Sequence, residues 1–199
     1  MKILAFSDLH RETDAAKSIL AHSHQADILV GAGDFATRGK GTQDTISILK
    51  SLNKPIILVG GNHDNSDELA ALCTDWENGH FLHGQALTID GVTFFGLGRE
   101  IPNGNDAAWN EGMSETEAAH LLKNCPKNCV LVTHTPPFEC ADIQKDGTPG
   151  GSVSIRHTIE QQKPVLHLCG HIHFSWGAKG IVGKTPVHNL GPTLNWFEV

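Results

Sequence analysis

Apolar residues in this chain come in short unbroken runs, each followed by a small group of Gly, Asp, Asn or His. The runs are Ile3-Leu4-Ala5-Phe6, Ile28-Leu29-Val30, Ile56-Ile57-Leu58-Val59, Val130-Leu131-Val132 and Val165-Leu166-His167-Leu168. They are too short for buried helices and lack the polar alternation of a half-exposed strand, so they read as strands covered on both faces. Between them the spacing turns helical. Ala16, Ile19 and Leu20 form one stripe, and Ile46, Leu49 and Leu52, closed by Pro55, form another. Ser66 with Leu69, Leu72 and Cys73 gives a third, and Ser114-Glu115-Thr116-Glu117 is a capping box before Ala118, Leu121 and Leu122, ended by Pro126. Ile155 and Ile159, ended at Pro164, mark a fifth helix. Strands alternating with helices predict an α/β chain whose sheet is parallel at its centre.

Two segments depart from that pattern. Residues 86–89 and 92–95 flank Asp90-Gly91, the signature of a two-residue hairpin, and residues 178–182 and 186–190 flank Gly183-Lys184-Thr185. Both predict antiparallel strands added to the parallel core. Two longer loops, 98–113 and 136–151, carry no element of their own and are expected to shape specificity. The second comes after His134 and is expected to hang over the site.

The polar groups that close the runs are Asp8-Leu9-His10, Gly33-Asp34, Gly61-Asn62-His63-Asp64, Thr133-His134 and Gly170-His171-Ile172-His173. Strands of an α/β sheet deliver side chains at their carboxyl ends, so these distant words are expected to meet at one edge. His171 and His173, two apart on an extended segment, would point to the same side. Taken singly, most of these words have a plainer reading as turns or helix caps. Their order and context are more specific.

In order, residue type and setting, residues 3 to 173 resemble the calcineurin-like metallophosphoesterase superfamily, whose pattern of D-x-H, G-D, G-N-H-D/E, H and G-H-x-H is matched at every ligand position. The resemblance implies a four-layer αββα sandwich of α/β class (α+β type) with two mixed sheets, formed by one domain spanning 1–199. It also implies that Asp8, His10, Asp34 and His173 hold a first metal, and that Asp34, Asn62, His134 and His171 hold a second, with Asp34 bridging. Carboxylate, imidazole and amide donors without thiolate suit two divalent transition-metal ions such as Mn, Fe, Zn, Co or Ni, with manganese the first expectation. Two such ions outweigh the carboxylates Asp8 and Asp34, and the positive surplus favours phosphate.

His63, beside Asn62, is the expected general acid for the leaving oxygen. Asp64 has two readings: a carboxylate that hydrogen-bonds and orients the His63 ring, or an N-cap of the next helix in competition with Ser66. Arg11 and Arg38 stand near ligand words and are candidate phosphate-binding residues. The stretch Gly33-Asp34-Phe35-Ala36-Thr37-Arg38-Gly39 resembles that of the phosphoprotein phosphatases, but Thr37 stands where that family carries Asp.

Composition narrows the rest. The 199 residues carry a formal charge of −7 and no basic run, which argues against extended nucleic-acid binding and against a nuclease groove. The N-terminal apolar run is too short for a signal peptide or membrane span, so a cytoplasmic protein without membrane association is expected. Five cysteines without a paired-motif spacing read as reduced, mostly buried thiols. The resemblance implies hydrolysis of a small phosphate ester by attack of a hydroxide bridging two metals; in length the chain resembles small members without a cap domain, which often accept phosphodiesters, and with no obvious phosphate-gripping cluster in the sequence the expectation leans to diesters. The alternatives are a phosphomonoesterase or phosphoprotein phosphatase on the same site, or an inactive binding or scaffold protein that kept the fold.

Overall fold

The computed structural model describes all 199 residues and turns each apolar run into a buried strand. One sheet contains β1 (Lys2–Phe6), β2 (Ile28–Ala32), β3 (Ile56–Val59) and β4 (Gly79–Phe81), parallel and in that order, with β11 (Asn195–Glu198) antiparallel on the outer edge of β1. The other sheet holds β5 (Gln85–Ile89), β6 (Val92–Leu97), β7 (Val130–Thr133), β8 (Leu166–Cys169), β9 (Lys179–Val182) and β10 (Thr185–Asn189). Its order is β5-β6-β7-β8-β10-β9, parallel from β6 to β10 and antiparallel at both ends.

The reason for unbroken apolar runs is now visible. Along β1, Ile3 and Ala5 pack into a core shared with Val30, Ile57, Val130, Val132 and Leu168, between the sheets. Leu4 and Phe6 face the other way, against α1 (Thr13–His22), α2 (Thr42–Leu49) and α3 (Ser66–Thr74). Leu131 and Cys169 do the same on the second sheet, beneath α4 (Glu115–Leu122) and α5 (Val153–Gln162). Each strand keeps its period of two, but both faces are dry. The result is the expected αββα sandwich with two mixed sheets.

Three local readings need correction. β4 and β11 are absent from the sequence-based strand set: β4 has only three residues with His80 at its centre, and β11 is an edge strand alternating between half-buried and exposed positions. Neither offers an apolar run. The cap of α3 is Asn65, whose side chain accepts from Glu68 N at 2.9 Å, so neither Ser66 nor Asp64 plays that part. The Ser114/Glu117 capping box of α4 forms as expected. No helix is long and apolar enough to cross a membrane.

Strand register decides where the polar words emerge. Phe6 pairs with Gly31 and Ala32 with Val59, while Leu97 pairs with Thr133 and Val132 with Leu168. Each sheet therefore ends its parallel strands in line, and the words leave side by side.

Candidate metal centre

Four of the seven candidate ligands sit in left-handed backbone: Asp8 at φ 55, His10 at φ 43, Asp34 at φ 58 and His171 at φ 67. A residue with a Cβ pays roughly 1–2 kcal/mol for that conformation, so the surroundings must hold it. They do so reciprocally. Asp8 N donates to Gly33 O at 2.9 Å, His10 N to Asp34 O at 2.8 Å, and His171 N to Asp8 Oδ1 at 3.1 Å. Two glycines are required by close approach: a Cβ on Gly61 would collide with Asp34 Oδ1, and one on Gly170 would collide with Asp8 Oδ2.

The first ligand set is compact. One ligand atom from each of Asp8, His10, Asp34 and His173 lies within 4.8 Å of the others. His10 Nε2 and His173 Nε2 face each other at 3.0 Å, with Asp34 Oδ2 3.5 Å from the former and Asp8 Oδ1 3.6 Å from the latter. Two ring nitrogens turned to one point between carboxylate oxygens can both offer lone pairs to a cation there. Asp8 Oδ2 is engaged by Ser7 Oγ and by Trp176 Nε1, which turns Oδ1 toward the histidines.

Asp34 Oδ2 also lies 3.5 Å from His134 Nε2, the same distance as from His10 Nε2, so one oxygen stands between both ligand sets. Asn62 Oδ1 is 3.2 Å from His134 Nε2 and 3.2 Å from His171 Nδ1. His134 Nδ1 donates to Ala32 O at 2.8 Å, so Nε2 is the ring nitrogen that faces Asp34 and Asn62. The donors of this second set are oxygen and nitrogen only, and they fit a divalent transition metal as the first set does.

Charge tracks the geometry. Burial alone would raise the carboxyls of Asp8 and Asp34, yet nearby His173 and His134 for the first, and His134 and His10 for the second, bring both below the usual range. Burial works against a charged His134, but Asp34 outweighs it and lifts the imidazole to about 10. The centre is built to hold positive charge against its carboxylates.

His63 stands at the rim, its ring 4.8 Å from that of His10 and 4.6 Å from that of Trp109. Burial, then the neighbouring histidines His10, His134 and His171, lower its pKa against the opposing pull of Asp34. The orienting role read for Asp64 is corrected. Asp64 accepts three main-chain N–H groups, from Asp34 and Gly61 through Oδ2 and from Ala36 through Oδ1, all at 2.8 Å. Its carboxylate ties the ligand loops together, and the His63 ring takes its contact elsewhere. Arg38 N makes that contact instead, donating to His63 Nδ1 at 3.0 Å. Burial, with Asp34 adding to it, raises the Asp64 carboxyl to about 7 against those amides.

The two arginines are otherwise engaged. Arg11 Nε donates to Asp44 Oδ2 at 2.7 Å, and the Arg38 guanidinium lies 5.7 Å over the Trp109 ring. His171 and His173 do not share a side as an extended segment would require. The left-handed turn at His171 and the 3-10 turn His173–Ser175 send the rings to different ligand sets.

Sequence reading passed over Glu100, Trp109 and Asn110. All three lie on the 98–113 loop, and the signal for them was positional: β6 is in register with β7, so residues after Leu97 emerge beside His134. Asn62 Nδ2 donates to Asn110 Oδ1 at 2.8 Å, and His171 Nε2 lies 3.5 Å from Glu100 Oε1. The 136–151 loop packs against the segment after His173, with Ser175 Oγ donating to Ile143 O at 2.8 Å and Asn189 Nδ2 to Ala141 O at 3.0 Å.

Comparison with known proteins agrees with this geometry. A family model, calcineurin-like phosphoesterase, matches residues 1–175. A UPF0046 protein of Caenorhabditis elegans is 27% identical over 197 residues, covering 89% of this chain, which spans 65% of that relative's length. The crystal structure of TT1561 from Thermus thermophilus superposes with a TM-score of 0.76 at 19% identity, covering 99% of this chain and 98% of the other. A dimetal phosphatase from Danio rerio gives 0.62 at 11% identity, over 96% of this chain and 88% of that one, a likeness of fold.

Proposed function

The chain belongs to the calcineurin-like phosphoesterase family, and on that premise we propose that it is a metal-dependent hydrolase of small phosphate esters, with phosphodiesters its preferred class. The observation that carries this reading is Asp34 Oδ2, poised 3.5 Å from the ring nitrogens of both His10 and His134. One carboxylate oxygen shared by two donor sets is the arrangement a dinuclear centre needs. Divalent ions held there, manganese first among them, supply positive charge for a phosphoryl group and acidity for the attacking water.

The chain's own residues divide the remaining work. Asp8, His10, Asp34 and His173 would hold one ion; Asp34, Asn62, His134 and His171 would hold the other. His63 keeps its proton on Nε2, because Nδ1 accepts the Arg38 N–H. Entering the step as an imidazolium, with Nδ1 released from Arg38, the ring passes its Nε2 proton to the departing oxygen and returns to the neutral form, so the alkoxide never leaves as a bare anion. Asp64 acts through the loops: by clamping Asp34, Ala36 and Gly61 it keeps the shared carboxylate in place.

Preference for diesters is argued from where the arginines go. With Arg11 drawn to Asp44 and Arg38 over Trp109, neither guanidinium is held against the ligand sets, where the second negative charge of a monoester would call for one. We read residues 1–199 as one functional domain because β9, β10 and β11, beyond the matched segment, complete both sheets. The cysteines are all unpaired, which supports a reducing compartment such as the cytoplasm. Net charge supports a small substrate over a nucleic-acid chain.

A hydrolysis screen tests the proposal. Manganese-reconstituted protein should turn over an aryl phosphodiester faster than the matching monoester, and cyclic and dinucleotides belong in the same panel. Two ions bound with no turnover across the panel would overturn it in favour of a binding protein on this fold.

A further inference from the structure

The 98–113 loop is pinned to the turn after β3 that carries Asn62. Arg99 N donates to Gly60 O at 2.8 Å and Glu111 N to Asn62 O at 2.9 Å, while Met113 N returns to Glu100 O at 3.0 Å. Ser66 N and Oγ both donate to the Glu111 carboxylate. The loop is thus fixed in register with the site, and two of its side chains point inward.

Those two side chains settle an ambiguity that each of two ligands carries. An asparagine amide must turn its oxygen, and not its NH2, toward a cation. A histidine must present one ring nitrogen bare and keep its proton on the other. Asn62 Nδ2 donates to Asn110 Oδ1 at 2.8 Å, which turns Asn62 Oδ1 toward His134 and His171. Asn110 is itself locked, because its Nδ2 faces acceptors only: Glu100 Oε2 at 2.8 Å and Asn103 Oδ1 at 3.0 Å. The other Glu100 oxygen, Oε1, is 3.5 Å from His171 Nε2, so it draws the ring proton to Nε2 and leaves Nδ1 bare. Nδ1 is the nitrogen that faces Asn62 Oδ1.

We propose that Glu100 and Asn110 are positioning residues of the second metal site, with the Glu100 carboxylate setting both the amide orientation of Asn62 and the tautomer of His171. This rests on the dinuclear reading above. The network is well sheltered: the Glu100 and His171 side chains are each 15% exposed, so water competes weakly for these contacts. It also involves the second ion alone, since no residue in it belongs to the set of Asp8, His10 and His173. Outer carboxylates of this kind are commonly worth 10–100-fold in metal affinity.

Titration calorimetry with Mn²⁺ on the metal-depleted full chain tests it, using wild type, Glu100→Gln and Asn110→Ala. Wild type should take up two ions, and each variant should retain one at wild-type affinity while binding the other about 10–100-fold more weakly. Nitrogen NMR of the Zn²⁺-loaded wild type should show His171 bound through Nδ1 with its proton on Nε2, a state that Glu100→Gln should lose. Equal binding of two ions by wild type and both variants would overturn the positioning role alone. Loss of both ions together in the variants would overturn it too, as a sign of general disruption. Uptake of a single ion by wild type would instead overturn the dinuclear reading, and this inference with it.

Discussion

Arg38 donates its main-chain N–H to Nδ1 of His63 at 3.0 Å. An amide can only donate, so the ring nitrogen it meets must be the bare one, and the His63 proton sits on Nε2. His63→Ala should then cost about 10²–10⁴-fold with a poor, alkoxide-like leaving group, the usual range for general acid catalysis. With nitrophenolate, which leaves without a proton, the loss should shrink. Parallel rate measurements on the two esters decide it, and an equal loss on both would reduce His63 to an electrostatic stabiliser of the phosphoryl group.

The shared oxygen of Asp34 separates two metal-site variants. Asp34→Asn replaces one carboxylate oxygen with an NH2 and should weaken both ions, whereas Asn62→Ala should weaken chiefly the second. Metal content per chain after dialysis reads the difference. Two tightly held ions in Asp34→Asn would show that its carboxylate does not bridge.

Left-handed backbone at the ligands predicts a stability effect independent of metal. His171 lies at φ 67, where glycine is at ease and alanine is not. In metal-free protein, His171→Gly should be about 1 kcal/mol more stable than His171→Ala. Urea midpoints compare them, and an alanine variant as stable as the glycine one would mean the turn carries no strain.

His167 predicts acid sensitivity away from the centre. It is wholly buried on β8, Nε2 lies 2.8 Å from Thr133 Oγ1, and Nδ1 has no partner. Thr133 Oγ1 gives its hydrogen to Thr135 O, so His167 Nε2 must be the donor and the ring is neutral. Burial, then His188, pushes its pKa from 6.5 down to about 3. Between those values the unfolded chain binds a proton that the folded chain refuses, so stability is lost as pH falls below 6.5. The slope approaches about 1.4 kcal/mol per pH unit for one such group. His167→Gln, which keeps a donor for Thr133, should flatten that slope in denaturant titrations from pH 7 to 4. Identical slopes would refute the assignment.

What the sequence made legible was whatever it wrote contiguously. The strands beneath the site were readable because a strand dry on both faces must be apolar at every position, as in Ile56-Ile57-Leu58-Val59. The ligand words were readable because four of the five close such a run directly, and Gly33-Asp34 follows its run after the small step Gly31-Ala32. Edge strand β11 was not, since half its residues face water, and β4 was too short to form a pattern. Asp64 was misjudged for a physical reason. Its neighbour in sequence is His63, but its partners in space are the amides of Asp34, Ala36 and Gly61, and a carboxylate surrounded by three N–H groups has no reason to turn toward a ring. Glu100 and Asn110 were not singled out for the opposite reason: only the place of their loop after β6 pointed toward them, and they act on Asn62 and His171 across long stretches of chain with no local spacing to betray them.

The ligands are divided between the sheets in a way that bears on how the molecule assembles. Asp8, His10, Asp34 and Asn62 come after β1, β2 and β3 of one sheet, while His134, His171 and His173 come after β7 and β8 of the other. Each candidate ion draws donors from both. Neither sheet alone holds a complete set, so a centre of full affinity exists only after the two have docked across the apolar layer of Ile3, Val30, Ile57, Val132 and Leu168. Ions bound there would tie the two sheets together at their shared edge. In a refolding experiment, the onset of tight metal uptake would time the closing of the sandwich, and the metal would slow its reopening.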